Sequence, residues 1–362
     1  MTFLIVFISF LGLVILHELG HFLFAKKFGV KVEEFGIGLP PRIWGKQFGE
    51  TVYSLNLLPL GAFVRLQGEE DGSADPRSFS VKPIWQRMVI VAAGVIAFWA
   101  VAVLIFTGLG ATSGIPMGVS DTDTAGISQA KVQIIGVAKD SPAKAGGVQL
   151  GDAIVSLRNP ETGEQISPTT VTETQEFTSA LKGHALEIIL ERGAKTVEVS
   201  VMPRENPPAG EGPLGVALTR SALVRYSLLE APFKGIEYTW NMTAGILKGL
   251  GALAGSLFQG KGAPDGMEFM GPIGIFQVLM NSLSLGVSYF LSFLAMLSVY
   301  LAVFNALPIP VVDGGRLVLL GIEAVRKKPL PSGIEKSVSS IFFVLLICAM
   351  IFVSIKDILK IF

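Results

Sequence analysis

Two histidines flank a glutamate inside an apolar stretch near the start of the chain. The segment "VILHELGHFLFA" places His17 and His21 four positions apart, with Glu18 directly after the first. On a helix, positions i and i+4 lie on one face, so both imidazoles can reach one metal ion. Zinc is the usual ion for such a pair with a nearby carboxylate, although iron, cobalt or manganese suit the same ligands. Glu18 is then a general base that takes a proton from water activated by the ion.

A catalytic zinc ion usually has three protein ligands, so this pair of histidines predicts a third ligand elsewhere. The remaining histidine, His184, begins a strand in a polar region, where an ordinary surface residue is expected. Asp313 ends the uncharged stretch 269–312, and the prolines before it and the glycines after it allow a broken helix end. We expect Asp313 to be the third ligand. Glu323 is the alternative, but its basic neighbours favour a surface ion pair.

The composition is that of a membrane protein with a water-exposed portion. Half of the 362 residues are hydrophobic, only 16% are charged, and the mean hydropathy is +0.58. A formal net charge of zero gives no indication of a nucleic-acid partner. The single cysteine, Cys348, excludes an intramolecular disulfide and a cysteine-rich metal site, and its apolar surroundings predict an inert core thiol.

Four apolar stretches are long enough to cross a bilayer. The first carries no basic residue before Lys26, so we interpret it as a retained span and not as a cleaved signal peptide. Basic residues concentrate in the loops that follow the first and third spans, which the positive-inside rule places in the cytoplasm, with both termini outside. The predicted organisation is a transmembrane helix at 1–25, a cytoplasmic loop with a re-entrant β element at 26–84, a helix at 85–110, an extracytoplasmic domain at 127–204, a linker with an amphipathic helix at 205–285, a helix at 286–312, a cytoplasmic loop at 313–336 and a helix at 337–358.

The stretch "TVYSLNLLPLGAFVRL" at 51–66 alternates in polarity and is rich in β-branched and apolar residues. One interpretation is an amphipathic hairpin on the membrane surface. The other is a re-entrant β element beside the first span, which requires that protein covers its backbone.

The polar region between the second and third spans contains a strand, a turn with "SPAKAGG", a second strand, a helix and a hairpin with "RG" at its turn. This order resembles bacterial PDZ domains over residues 127–204. A PDZ domain adds an extended peptide to a sheet edge, so the resemblance implies a peptide or protein partner. The alternative is a spacer domain that binds nothing. Residues 233–259 have the pattern of an interfacial helix.

Together these motifs resemble the site-2 protease family of intramembrane zinc metalloproteases, and most closely its bacterial branch that regulates sigma-factor signalling. The resemblance rests on HELGH in the first span, one PDZ-like insert, "NALPIPVVDGG" in the third span, "PLGAFVRL" at 59–66 and "GPIGI" at 271–275. It implies a multi-pass α-helical protein of the bacterial cytoplasmic (inner) membrane. The implied activity is hydrolysis of a peptide bond within a transmembrane segment of a substrate such as an anti-sigma factor or a signal-peptide remnant.

The same resemblance assigns roles to residues. It implies that His17, His21 and Asp313 bind Zn2+, that Glu18 is the general base and that Asn305 holds the substrate backbone. Residues 51–66 would receive the unwound substrate as an added strand. The expected partners are transmembrane substrates, a peptide at the PDZ-like domain and the lipid bilayer.

One stretch departs from the family pattern. The second span usually carries AGPxxN, whereas this chain reads "AGVIAF" at 93–98, with Val95 in place of the proline and Phe98 in place of the asparagine. Neither position supplies a zinc ligand, so the departure concerns substrate positioning or the packing of the second span. A catalytically silent PDZ-bearing membrane scaffold is the alternative function, and the intact Glu18 argues against it. A metal transporter would need more intramembrane acids and histidines than the other spans contain.

Overall fold

The computed structural model describes residues 1–69, 75–124, 126–193, 195–262, 270–328 and 332–361. The chain forms two compact units. The first contains residues 1–106, 235–280 and 293–362, and the second contains residues 107–234 and 281–292. The helices of the described part are α1 (Thr2–Lys27), α2 (Ile84–Ala111), α3 (Pro142–Ala145), α4 (Val171–Ala180), α5 (Ala231–Phe258), α6 (Pro272–Leu285), α7 (Val287–Ala306), α8 (Asp313–Arg326) and α9 (Ser332–Ile361).

Four of these helices are long and apolar enough to cross a membrane. They are α1, α2, α7 and the Val338–Leu359 portion of α9, with hydropathies of 2.3, 2.9, 2.0 and 2.8. A rise of 1.5 Å per residue lets about 20 residues span a hydrocarbon core of about 30 Å. The prediction of a membrane protein with four such helices and additional β structure is confirmed at this level. Cys348 is exposed on α9, so the prediction of a core thiol is wrong.

The chain turns sharply between α7 and α8. Helix α7 ends at Ala306, before the two prolines, and α8 begins at Asp313 within the predicted cytoplasmic loop. Gly314 and Gly315 are buried at this turn. A Cβ atom on Gly314 would collide with the carbonyl oxygens of Ala306 and Leu307, and one on Gly315 with the carbonyl group of Ile309. The two glycines therefore let the start of α8 pack directly on the chain that leaves α7.

The first unit also contains two long β elements, β1 (Val32–Phe48) and β2 (Thr51–Leu66), which pair with each other in an irregular register. Phe35 in β1 lies opposite both Tyr53 and Val64. The start of β1 therefore lies between two segments of β2, and residues 62–66 form an outer segment. Gly36 makes this possible, because a Cβ atom there would overlap the Phe63 ring.

The second unit is built around a seven-stranded sheet. Its strands are β3 (Ile115–Val119), β4 (Ile127–Val137), β5 (Ala153–Arg158), β6 (Gln165–Ile166), β7 (Leu186–Arg192), β8 (Lys195–Val201) and β9 (Val216–Val224). Their order is β3-β9-β4-β5-β7-β8, and β6 pairs with β5. Leu157, Leu186 and Leu190 are fully buried in the core of this sheet. The resemblance of residues 127–204 to a PDZ domain stays a prediction.

Candidate metal centre

The predicted ligands come together within the first unit. Helix α1 presents His17 and His21 one turn apart, and α8 presents Asp313 at its first residue. The two Nε2 atoms of the histidines are 3.3 Å apart. Asp313 Oδ2 lies 3.5 Å from His17 Nε2 and 3.4 Å from His21 Nε2. Three donor atoms from two distant parts of the sequence thus form a nearly equilateral triangle.

The dimensions of this triangle fit a zinc ion. Two atoms bound at about 2.1 Å to one tetrahedral ion are about 3.4 Å apart, which matches all three separations. Asp313 Oδ2 is buried and has no hydrogen-bond partner among the described residues. A buried carboxylate oxygen without a donor is costly unless a cation satisfies it. Two imidazole nitrogens and one carboxylate oxygen are also the donor types that a catalytic zinc site uses, with the fourth position open.

The two imidazoles are held in different ways. His21 Nδ1 lies 2.9 Å from the carbonyl oxygen of Ile90 on α2, so Nδ1 carries the hydrogen and Nε2 faces the triangle. His17 stacks on the ring of Phe98, also on α2, with the ring centroids 4.5 Å apart and the planes at 20°. Helix α2 therefore orients both side chains.

Close contact between α1 and α2 beside the two histidines depends on two glycines. A Cβ atom on Gly20 would collide with the backbone carbonyl of Ala93. A Cβ atom on Gly94 would lie 2.7 Å from His17 Cε1 and would overlap the ring of His21. The space that the imidazoles occupy is thus the space that Gly94 leaves open.

Glu18 lies beside the triangle in a cavity of about 190 Å³. Val64, in the outer segment of β2, lines the same cavity. The cavity therefore brings a carboxylate, three potential metal ligands and an outer strand segment together. The lining residues are His17, Glu18, His21, Phe63, Val64, Leu66, Glu69, Ile90, Val91, Asp313 and Arg316.

A network of two ion pairs fixes α8 beside this cavity. Arg316, one turn after Asp313, pairs with Glu69 in the turn that follows β2. On the same helix, Glu323 accepts a hydrogen bond of 2.8 Å from Arg87 on α2. Both guanidinium groups lie over the ring of Phe79, at 5.0 Å for Arg316 and 5.2 Å for Arg87. Glu323, the alternative ligand, is thus buried in an ion pair, and the prediction that it forms a surface pair is wrong.

Two other residues from the sequence interpretation lie apart from the triangle. The amide nitrogen of Asn305 donates a hydrogen bond of 2.9 Å to the Leu301 carbonyl on its own helix. Among the described residues, Asn305 is not part of the cavity lining. His184 belongs to the second unit, where its side chain is 57% exposed and its Nδ1 atom lies 3.4 Å from Glu161.

The sequence of nearly the whole chain matches a known family. The profile of peptidase family M50 covers residues 5–349. The chain belongs to peptidase family M50. This membership confirms the predicted resemblance to site-2 proteases and the prediction of a metalloprotease.

Relatives of this M50 peptidase match over almost their full length. A Clostridium perfringens protein, provisionally named a zinc metalloprotease, is 33% identical, and the match covers 97% of each chain. The zinc metalloprotease RasP of Geobacillus kaustophilus is 28% identical over 98% of this chain and 97% of its own length. RasP of Oceanobacillus iheyensis is 27% identical over the full length of both chains. The predicted cofactor, Zn2+, agrees with these names.

Several residues around the site escaped the sequence interpretation. The HExxH spacing points to two ligands, but nothing in it identifies Phe98 as their neighbour or Gly94 as the source of space. The Glu69–Arg316 pair was also missed, although Arg316 stands one helical turn after Asp313 and a partner could have been sought. These contacts join distant parts of the M50 chain, and local patterns carry no signal for them.

Proposed function

We propose that this M50 peptidase is an intramembrane zinc endopeptidase that hydrolyses a peptide bond within the transmembrane segment of a membrane protein. One observation carries the proposal. The triangle of His17, His21 and Asp313, with Glu18 beside it, lies within the unit that contains the membrane-spanning helices. Ionisable residues in membrane spans are expensive to keep, and they usually serve a site.

His17, His21 and Asp313 would hold the zinc ion. Bound there, zinc supplies a Lewis acid that lowers the pKa of water and polarises a carbonyl group. The Glu18 carboxylate accepts the proton of the attacking water and passes it to the amide nitrogen that leaves. Val64 lines the same cavity as Glu18, so that carboxylate lies beside the outer β2 segment.

The outer segment of β2 offers a place for the substrate. In the described part of β2, residues 62–65 pair with β1 residues 34–37 on one side. An unwound transmembrane segment can add to the other side as a strand, which satisfies its backbone and exposes a peptide bond to the cavity. Asn305 would contact the substrate backbone through its amide oxygen, because its amide nitrogen is held by Leu301.

The location and the partners are part of the same proposal. The protein is a multi-pass protein of the bacterial inner membrane, with the loops after the first and third spans in the cytoplasm. Residues 127–204, as an extracytoplasmic PDZ-like domain, bind a peptide segment and exclude substrates whose outer domain is still attached. The substrates are membrane proteins of the anti-sigma factor or signal-peptide class. Deletion of residues 131–204 should allow cleavage of such untrimmed substrates, and unchanged selectivity would refute the gating role.

The substitution Glu18→Gln tests the activity. The purified full chain, reconstituted in lipid, should bind about one zinc ion as wild type and as the variant, since glutamine keeps the size of the side chain. Cleavage of a model transmembrane peptide should fall by about 10²- to 10⁴-fold, the typical contribution of a general base. Undiminished cleavage by Glu18→Gln would contradict the mechanism. A wild-type protein that binds zinc and cleaves no membrane peptide would favour the alternative function, a catalytically silent PDZ-bearing membrane scaffold.

A further inference from the structure

The two histidines of the candidate metal centre differ in the hydrogen bonding of their Nδ1 atoms. His21 Nδ1 has the Ile90 carbonyl oxygen at 2.9 Å. His17 Nδ1 is buried, and no hydrogen-bond partner for it is present in the part of the chain that the structure describes. The backbone of Gly94 is close enough to interact with the His17 side chain, but it forms no hydrogen bond of standard geometry with Nδ1. Metal-binding histidines usually donate this second N–H to an acceptor that fixes the plane of the ring.

Phe98 stands where it can replace that hydrogen bond. Its ring is stacked on His17 at 4.5 Å and 20°, and its side chain is only 2% exposed. Its own backbone is held as well, because Ser298 Oγ on α7 donates a hydrogen bond of 2.8 Å to the Phe98 carbonyl oxygen. Burial therefore restricts the movement of the Phe98 ring, and the hydrogen bond holds the backbone to which it is attached.

Gly94 and Phe98 act on the imidazoles from one face of α2, because they are four positions apart on that helix. Gly94 leaves the space that the two rings fill, and Phe98 closes one side of it. Rotation of the His17 ring about its Cβ–Cγ bond would drive it into the Phe98 ring. Such packing limits a side-chain torsion in the same way as a hydrogen bond to the far nitrogen.

We propose that Phe98 is a positioning residue for His17: its stacked ring, in place of a hydrogen bond to Nδ1, holds the imidazole with Nε2 directed at the metal. The inference rests on the proposed zinc-binding role of His17. It assigns a role to Phe98, the residue that stands in place of the asparagine of the AGPxxN pattern. It also assigns Phe98 to the retention of the metal and not to contact with the substrate.

The test compares two phenylalanines of the same helix. Phe106 is also on α2 and is 3% exposed, but it contacts Tyr238 at 6.1 Å between centroids and not the metal centre. Phe98→Leu and Phe106→Leu remove the same aromatic ring from equally buried positions. Zinc affinity of the full chain in detergent is measured by competition with a chromophoric chelator, and the absorption spectrum of the Co2+-substituted protein reports the ligand geometry.

Phe98→Leu should lower zinc affinity by about 10- to 100-fold, as expected for loss of a group that orients a ligand. It should also change the Co2+ spectrum. Phe106→Leu should leave both as in wild type, and Phe98→Tyr, which keeps the ring, should retain most of the affinity. If Phe98→Leu does not fold, as judged by helical circular dichroism, Phe98→Met replaces it with an unbranched side chain of similar length.

The inference would be overturned if Phe98→Leu kept the wild-type zinc affinity. It would also be overturned if Phe98→Leu and Phe106→Leu lost zinc affinity to the same extent. In either case the proposed protease activity would stand, because wild type would still bind zinc. A wild-type chain without zinc affinity would instead overturn the metal site itself, and this inference with it.

Discussion

Asp313 Oδ2 lies 3.4 Å from His21 Nε2, although the two residues come from opposite ends of the chain. The carboxylate oxygen is buried and has no hydrogen-bond donor among the described residues. Two features of the backbone bring it there. Helix α8 begins at Asp313 itself, and the two glycines that follow let this helix start pack against the end of α7. The position of Asp313 in the candidate metal centre is therefore set by a helix start and not by a loop.

The substitution Asp313→Asn should abolish tight zinc binding. Asparagine keeps the shape of the side chain but loses the negative charge that a zinc ion neutralises. Zinc content after dialysis against a weak chelator should fall from about one ion per chain towards zero, and cleavage should fall with it. Glu18→Gln is the matched control, because it makes the same carboxylate-to-amide change beside the triangle at a residue that is not a proposed ligand. This control should retain zinc, and equal zinc loss in both variants would contradict the role of Asp313.

A methyl group at Gly94 should displace the imidazoles. The Cβ atom of Gly94→Ala would overlap His21 and lie within 2.7 Å of His17 Cε1, so the rings or the helices must move. Zinc affinity should drop by at least about tenfold, because metal sites tolerate little change in ligand position. Gly108→Ala on the same helix is the control, since no described atom outside the adjacent helix backbone lies within 4 Å of its added Cβ. Unaltered zinc affinity in Gly94→Ala would show that the imidazoles of His17 and His21 do not pack tightly against Gly94.

The Glu69–Arg316 pair should couple the turn that follows β2 to α8. Their side chains are 19% and 29% exposed, so solvent screens this pair only in part. A double-mutant cycle with Glu69→Gln and Arg316→Gln should give a coupling free energy of about 1 kcal/mol in reversible unfolding of the full chain. The more exposed Lys131–Glu191 pair of the second unit should give about 0.5 kcal/mol or less. Equal coupling in the two cycles would argue against a special role for the first pair.

The start of α4 should lose stability in acid. Burial alone would raise the pKa of Asp121, but the backbone N–H groups of Thr172 and Val171 donate to its carboxylate and hold the pKa below its ordinary value of 3.8. A carboxyl whose pKa is lowered by folding stabilises the fold at pH values above its unfolded pKa. That stabilisation is lost as the pH falls below about 4 towards the folded pKa.

Amide hydrogen exchange of α4 checks this prediction. Corrected for the intrinsic effect of pH, protection of the α4 amides in wild type should decrease between about pH 5 and pH 3. In Asp121→Asn the protection should be lower at pH 6 and should change less over the same range. A variant with the same pH dependence as wild type would assign the effect to another carboxyl group.

Some features of this fold follow from local sequence, and others depend on contacts between distant segments. The apolar lengths predicted four membrane helices, because a span depends only on composition over about 20 residues. Helix α2 is continuous through Val95, which stands in place of the family proline. Unlike proline, valine keeps a backbone N–H that can donate a hydrogen bond within the helix. The sequence did not reveal that β1 lies between two segments of β2. The alternating pattern at 51–66 specifies which faces the side chains take, but not which segment is the neighbour.

The sequence alone determined which side chains could act as ligands in the candidate metal centre. Two histidines at i and i+4 must share a helical face, and an isolated acid at the end of a long uncharged stretch is conspicuous without any coordinates. Only the tertiary structure decided the distances of 3.3 to 3.5 Å, the stack of Phe98 on His17 and the pairing of Glu323 with Arg87. Periodicity encodes relations within one element. Contacts between elements depend on how helices of opposite ends of the chain pack, and that packing is a property of the whole fold.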